Sequence, residues 1–248
     1  MTIAFFERAV LLKKRIPLNR SLPPKRVCGF TLLEILVAIF IFAIVISMIF
    51  GSFNMVFSSA EKLSHDADQL QMARTCLARM KIDLSDLYVA LPPRYKVPEF
   101  DDKPEPYRVV GDQTALAGGD FGRLRFASLA HVPLGKGLAK GIAEIVYYVY
   151  AEKDQMVIKR ADHLYPYPEF EENPEDPTLC EKVKALRFAF IDDEAESHEQ
   201  WDSESDDVDY ATPRSIAISL TIGDENESLS LTTTIEMPVY REKVDQSS

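Results

Sequence analysis

Histidine and cysteine are scarce in this sequence, and neither is spaced to hold a metal. The four histidines, His65, His131, His163 and His198, stand at no zinc-ligand spacing with one another or with a cysteine. The chain has no G-x-S-x-G, no P-loop and no G-x-G-x-x-G. No nucleophile–base pair can be proposed, so the residues point to no enzyme and to no cofactor. Positive charge is also short. Lys and Arg number 28 against 39 Asp and Glu, a net of −11, which excludes a protein built to bind nucleic acid through its phosphates. Of the three cysteines, Cys28 lies near the N-terminus, while Cys76 and Cys180 are far apart, and spacing alone leaves their pairing open.

The few cations are unevenly placed. Residues 1–29 hold seven of them (Arg8, Lys13, Lys14, Arg15, Arg20, Lys25, Arg26) against one acid, Glu7, whereas the remainder carries a net charge of −17. Between the basic head and the acidic body runs FTLLEILVAIFIFAIVISMIF, Phe30 to Phe50, 21 residues with a single charge. About 20 apolar residues span a bilayer as a helix. A cleaved secretory signal would have a shorter apolar core followed by a small-x-small site, and neither is present. The layout is that of a membrane-anchored chain with its N-terminus in the cytoplasm and its body outside.

Glu34 is the informative residue. A carboxylate inside a membrane helix costs about 2.5–3.5 kcal/mol and normally has a partner. No Lys, Arg or His lies in the run. Cleavage between Gly29 and Phe30 would create one, the α-amine of Phe30, four residues away on the same helix face. It could serve Glu34 of its own chain or of a staggered neighbour. The segment Lys25-Arg26-Val27-Cys28-Gly29-Phe30-Thr31-Leu32-Leu33-Glu34 resembles the prepilin peptidase recognition segment of type IV pilins and type II secretion pseudopilins. The resemblance implies cleavage after Gly29, N-methylation of Phe30 and docking of Glu34 on the N-terminus of an adjacent subunit. It implies three regions: a basic leader over 1–29, a transmembrane and assembly helix over 30–55, and a periplasmic domain over 56–248. A 29-residue leader is long for this family, and Ile3 to Ile16 has the apolar-basic composition of a short helix at the membrane surface.

After a softer patch at Gly51-Ser52-Phe53-Asn54, apolar residues recur at Leu63, Ala67, Leu70, Ala73, Leu77, Met80, Leu84, Leu87 and Leu91. Intervals of three and four make one stripe of an amphipathic helix. The predicted helix runs from about Phe30 to Leu91, with Pro92-Pro93 ending it. Residues 92–120, rich in Pro, Gly and charge, read as loop. Strands are predicted at Arg123–Leu129, Ile142–Tyr150, Gln155–Arg160, Val183–Ile191, Ser215–Ile222 and Leu229–Ile235, the last two joined by Gly223-Asp224-Glu225-Asn226. Their alternation predicts sheets with one buried face. One long helix followed by antiparallel strands is an α+β, pilin-like fold with the helix packed on the sheet.

The body narrows the resemblance. Leu77-Ala78-Arg79-Met80-Lys81-Ile82-Asp83-Leu84 is similar to the R-x-x-x-D-L segment of the minor pseudopilin J family of type II secretion. Phe121 to Ser128, Ile145 to Tyr148, Val183 to Phe190, Trp201 and Thr212 to Ile218 resemble later segments of that family in the same order. The resemblance implies a single-pass inner-membrane protein of a pseudopilus tip complex that initiates fibre assembly for protein export. Implied partners are the minor pseudopilins I and K, the major pseudopilin G, prepilin peptidase and secreted substrates, with no nucleic acid. A minor type IV pilus subunit shares the N-terminus, and an anchored periplasmic binding module that never polymerises is the third reading. The acidic run Asp202 to Asp209 lacks the glycine of a calcium loop, and Pro213 stands where a bidentate Glu would be, so it reads as a solvated loop, as does Asp192-Asp193-Glu194.

Overall fold

A computed structural model describes residues 29–99, 103–116, 119–133, 140–224 and 227–244. The expected leader up to Cys28, including Ile3 to Ile16, lies outside the described residues, as do Glu225 and Asn226 of the expected turn. The chain divides into two units, Met1–Phe57 and Ser58–Ser248. Helix α1, Leu32–Ser85, begins in the first and ends in the second.

In the first unit α1 is apolar on every side. Leu32, Phe42 and Phe50 are all exposed, and the most apolar stretch has a mean hydropathy of 3.0 with none of it buried in the protein. A helix that is apolar all round must be covered by lipid or by other chains. It stays helical through the patch Gly51 to Asn54. The hydroxyls in and near that patch are satisfied internally: Ser47 donates to the Ala43 carbonyl at 2.8 Å and Ser52 to the Met48 carbonyl at 3.0 Å. Such back-bonding lets a hydroxyl sit in an apolar helix without water.

In the second unit the buried stripe of α1 is shorter than its spacing predicts. Ala73, Leu77, Met80 and Leu84 are buried, whereas Leu63 and Ala67 are exposed. Helical spacing fixes which face residues share, and the protein covers that face only from Gln69 onward. The helix also stops at Ser85, short of Leu91 and the two prolines. The chain instead bonds to a strand. The Ser128 hydroxyl donates to the carbonyls of Asp83 at 2.8 Å and Asp86 at 3.2 Å, and Leu129 N–H donates to the Asp86 carbonyl at 2.9 Å. Tyr88 N–H donates to Ala127 at 2.9 Å. Strand partners thus take up terminal carbonyls that a longer helix would have used.

Among the described residues ten strands follow: β1 Val110–Leu116, β2 Gly119–Ser128, β3 Ala143–Glu152, β4 Gln155–Leu164, β5 Thr178–Cys180, β6 Val183–Ile191, β7 Ser197–His198, β8 Trp201–Asp202, β9 Ser215–Gly223 and β10 Ser228–Glu236. They form two antiparallel sheets, ordered β5-β4-β3-β2-β1-β8 and β10-β9-β6-β7. The sheets approach one another where β6 lies near β2 and β4. Leu186, Phe188 and Phe190 of β6 enter one core with Leu124, Tyr147, Ile218 and the stripe of α1.

Two expectations about the strands are corrected. Residues 110–116 and 119–120 are not loop: β1 pairs with β2 over its whole length, Val110 opposite Arg125 through Leu116 opposite Gly119. Two glycines of this strand pair serve packing. A Cβ on Gly111 would lie 1.9 Å from the Phe190 ring, and one on Gly122 would lie 2.7 Å from Phe188. Glycine in a strand marks such a close approach. Second, β3 and β4 are not buried on one face only. Val146, Tyr148 and Ala161 form a second small core under Phe170. The segment above it is tied down by Tyr148, whose hydroxyl donates to Asp176 at 2.8 Å, and by Lys159, which donates to the Pro174 carbonyl at 2.9 Å.

Candidate processing and assembly site

Gly29, Phe30 and Thr31 precede α1 in non-helical conformation, and all three are exposed. A Cβ on Gly29 would meet nothing within 4 Å. Among the described residues, nothing crowds the bond between Gly29 and Phe30. Thr31 caps the helix. Its hydroxyl accepts from Glu34 N–H at 3.3 Å, and its carbonyl accepts from Glu34 at 3.0 Å and Ile35 at 3.2 Å. Thr31-x-x-Glu34 has the residues of a capping box, a signal in the sequence that the motif reading passed over. The cap sets where the helix starts, and with it the place of Glu34 in the first turn. A carboxylate there also sits well with the positive end of the helix dipole. Among the described residues, no side chain reaches the Glu34 carboxylate with a hydrogen bond or ion pair.

The second set of residues surrounds Asp83, which is fully buried. Arg160 of β4 donates to it from Nε at 2.7 Å and from Nη2 at 3.3 Å. Arg79, one turn earlier on α1, and the Tyr147 hydroxyl of β3 also donate to it. Arg160 then donates to Asp162 at 2.6 Å, and both arginines donate to the Ala130 carbonyl. Asp162 further accepts from Val132 N–H at 2.9 Å and contacts His131 at 2.5 Å. Burial works to raise the Asp162 carboxyl, but the bonds from Val132, His131 and Arg160 outweigh it and hold it below its ordinary value. Burial works against the Arg160 cation, and its two aspartates overcome that and hold its pKa up. For Tyr147, burial and the neighbouring Asp83 both raise the phenol. The arrangement is a charge-assisted clasp that fixes the end of α1 to β3 and β4. The spacing Arg79-x-x-x-Asp83 was visible in the sequence; Arg160 and Tyr147 were not.

A similar anchor holds the C-terminal segment. Arg241 is 1% exposed and donates to Tyr210 O at 2.6 Å, Ser203 O at 2.5 Å and Glu204 at 2.9 Å, with its guanidinium 3.3 Å from the Tyr95 ring centre. This corrects the reading of residues 202–209 as simply solvated. Ser203 is fully buried and the Glu204 side chain nearly so, because Arg241 supplies the charge that lets an acidic segment turn inward. Beside it lies a cleft of about 420 Å³ lined by Asp192, His198, Trp201, Arg214 and Lys243 among others. Asp192, Glu196 and His198 offer ligand atoms within 4.8 Å of one another. The Asp192 carboxylate already accepts from Glu194 and Glu196 N–H and pairs with His198 at 2.9 Å, so an ion would have to displace those bonds.

The clasp, the glycine-packed β1–β2 pair and Trp201 all fall within one stretch of family likeness. Residues 51–232 match the family described as type II secretion system (T2SS), protein J. The chain belongs to that family. Residues 24–50 match the prokaryotic N-terminal methylation motif, which contains Gly29, Phe30 and Glu34. No curated protein matches the chain. This J-family pseudopilin is thus a member of a structural protein family, and its fold is the expected one: a long N-terminal apolar helix and antiparallel sheets. The methylation motif and the apolar helix together agree with a membrane-anchored prepilin.

Proposed function

We propose that this pseudopilin is processed between Gly29 and Phe30, is methylated on Phe30, and works in the minor-pseudopilin complex that starts a pseudopilus. Residues 1–29 are a basic leader removed by prepilin peptidase. Residues 30–55 anchor the chain in the inner membrane and later pack in the fibre. Residues 56–248 form the periplasmic domain. The basic head stays in the cytoplasm, as the excess of Lys and Arg over 1–29 favours. The partners are pseudopilins of the I, K and G types, and secreted substrates meet the tip. The work is assembly, without catalysis by the chain.

One observation carries this reading. Glu34 is the only charge in the apolar run Phe30 to Phe50, it sits in the first turn of α1 just after the exposed Gly29 and Phe30, and nothing in its own described chain partners it. An unpaired carboxylate at the centre of a membrane helix costs about 2.5–3.5 kcal/mol, and a cationic partner offsets such a cost. Processing supplies an α-amine on each subunit, and a staggered neighbour brings one to Glu34. The test is a crosslinked pull-down of the tagged full chain from native membranes, read by mass spectrometry. Recovery of pseudopilins I and K supports the tip role. Recovery of pilus subunits instead would move the protein to a pilus, and recovery of no pilin-like partner would end the assembly reading.

A further inference from the structure

Cys76 and Cys180 lie 1% exposed in the same core, one on the buried face of α1 and the other at the end of β5. Both are free thiols. Each lies near enough to the other to shift its titration, the Cys76 thiol upward and the Cys180 thiol downward. A disulfide would bring the two sulfurs to ~2.05 Å. Strand β5 is three residues long, lies at the edge of its sheet, and shows a register shift where it pairs with β4 beside Ile158. A strand so short has few backbone bonds of its own to hold it. The sequence has three cysteines, and the third, Cys28, belongs to the leader. After processing, no wrong partner remains within the chain.

We propose that Cys76 and Cys180 form a disulfide that staples α1 to β5. The inference rests on the periplasmic placement of the domain, because disulfides persist in that compartment and are rare in the cytosol. In the reaction two thiols become one disulfide, and two protons and two electrons leave. A protein thiol–disulfide oxidoreductase of the periplasm accepts them by exchange: its disulfide is attacked by one cysteine, and the second cysteine resolves the mixed disulfide and releases a dithiol. Both sulfurs are buried in the folded domain, so exchange takes place before β5 docks. The bond closes a loop on the order of 100 residues, for which the constraint on the unfolded chain is large.

The experiment uses the full-length protein from native membranes, acid-quenched, denatured and labelled with a large maleimide before and after reduction. Protease treatment of spheroplasts from the same cells reports the side of the membrane. The expected result is no label on Cys76 or Cys180 before reduction, label on both afterwards, and a Cys76–Cys180 linked peptide in the unreduced digest. Reduction should lower the melting temperature by roughly 5–15 °C, and a Cys76→Ala/Cys180→Ala variant should not respond to reductant. Two labelled thiols without reductant, in a domain that spheroplast protease digests, would overturn the disulfide and leave the placement standing. A domain protected in spheroplasts and digested after lysis would overturn the placement and the disulfide with it. A bond to a second chain, seen as a reducible dimer, would also overturn the proposal.

Discussion

Replacing Asp83 by alanine removes the anion on which the end of α1 is clasped to the sheet. Asp83 is fully buried, and the Arg160 side chain is 4% exposed. Without Asp83 the guanidinium keeps Asp162 and the Ala130 carbonyl but loses two bonds, and the Tyr147 hydroxyl loses its acceptor. Breaking a buried pair from one side typically costs about 3–5 kcal/mol, because the remaining charge stays buried. At about 2–4 °C per kcal/mol for a domain of this size, the melting temperature should fall by roughly 6–20 °C. Trp201 is the chain's one tryptophan, is 4% exposed and packs against Phe190, so its fluorescence on heating follows the domain. Arg79→Ala is the comparison. Arg79 is 26% exposed and Asp83 keeps Arg160 without it, so that variant should lose about 1 kcal/mol or less. A fall under about 2 °C for Asp83→Ala, or equal falls for both variants, would refute the claim that the buried charge decides the clasp.

Three further outcomes follow from the same residues. Glu34→Ala should abolish or sharply reduce incorporation into pseudopili in a crosslinking assay while leaving the Trp201 melt unchanged; normal incorporation would contradict the pairing argument. Gly111→Ala should destabilise the domain by about 1–3 kcal/mol through overpacking, since its Cβ would meet the Phe190 ring; Gly111→Ala combined with Phe190→Leu should recover part of the loss in the same melt. The Asp162 carboxyl is held below its ordinary 3.8, so its stabilisation is present above that pH and is lost as pH falls through the lower folded value. Asp162→Asn should therefore lower stability at neutral pH, with the gap to wild type closing below about pH 3.8 in urea titrations; a gap constant from pH 7 to pH 3 would refute the assignment.

The features legible in the sequence were those with a short period. The stripe Ala73, Leu77, Met80 and Leu84 repeats every three or four residues, and Ile216, Ile218, Leu220 and Ile222 alternate; all are buried as that pattern requires. The methylation motif was legible because an acid in an apolar run is costly enough to need an explanation. What escaped the reading depends on residues distant in the chain. Asp83 meets Tyr147 and Arg160 at separations of 64 and 77 residues, and no local pattern records such a partner. Strand β1 was hidden by Gly111 and its charged neighbours, which read as turn until Phe190 is placed over the glycine. The helix end was misplaced because Ser128, not a proline, takes its last carbonyls. The C-terminal anchor was missed because Arg241 follows the last strand and its acceptors are mostly backbone carbonyls, which carry no sequence signal.

The N-terminal peptide of the protein taken from membranes of cells with active prepilin peptidase tests the central claim most directly. Mass spectrometry should find a chain that starts at N-methylated Phe30, with Glu34 four residues behind the new amine. An intact Gly29–Phe30 bond in those cells would contradict the account, because Glu34 would then be left in the apolar helix without the cation that processing provides.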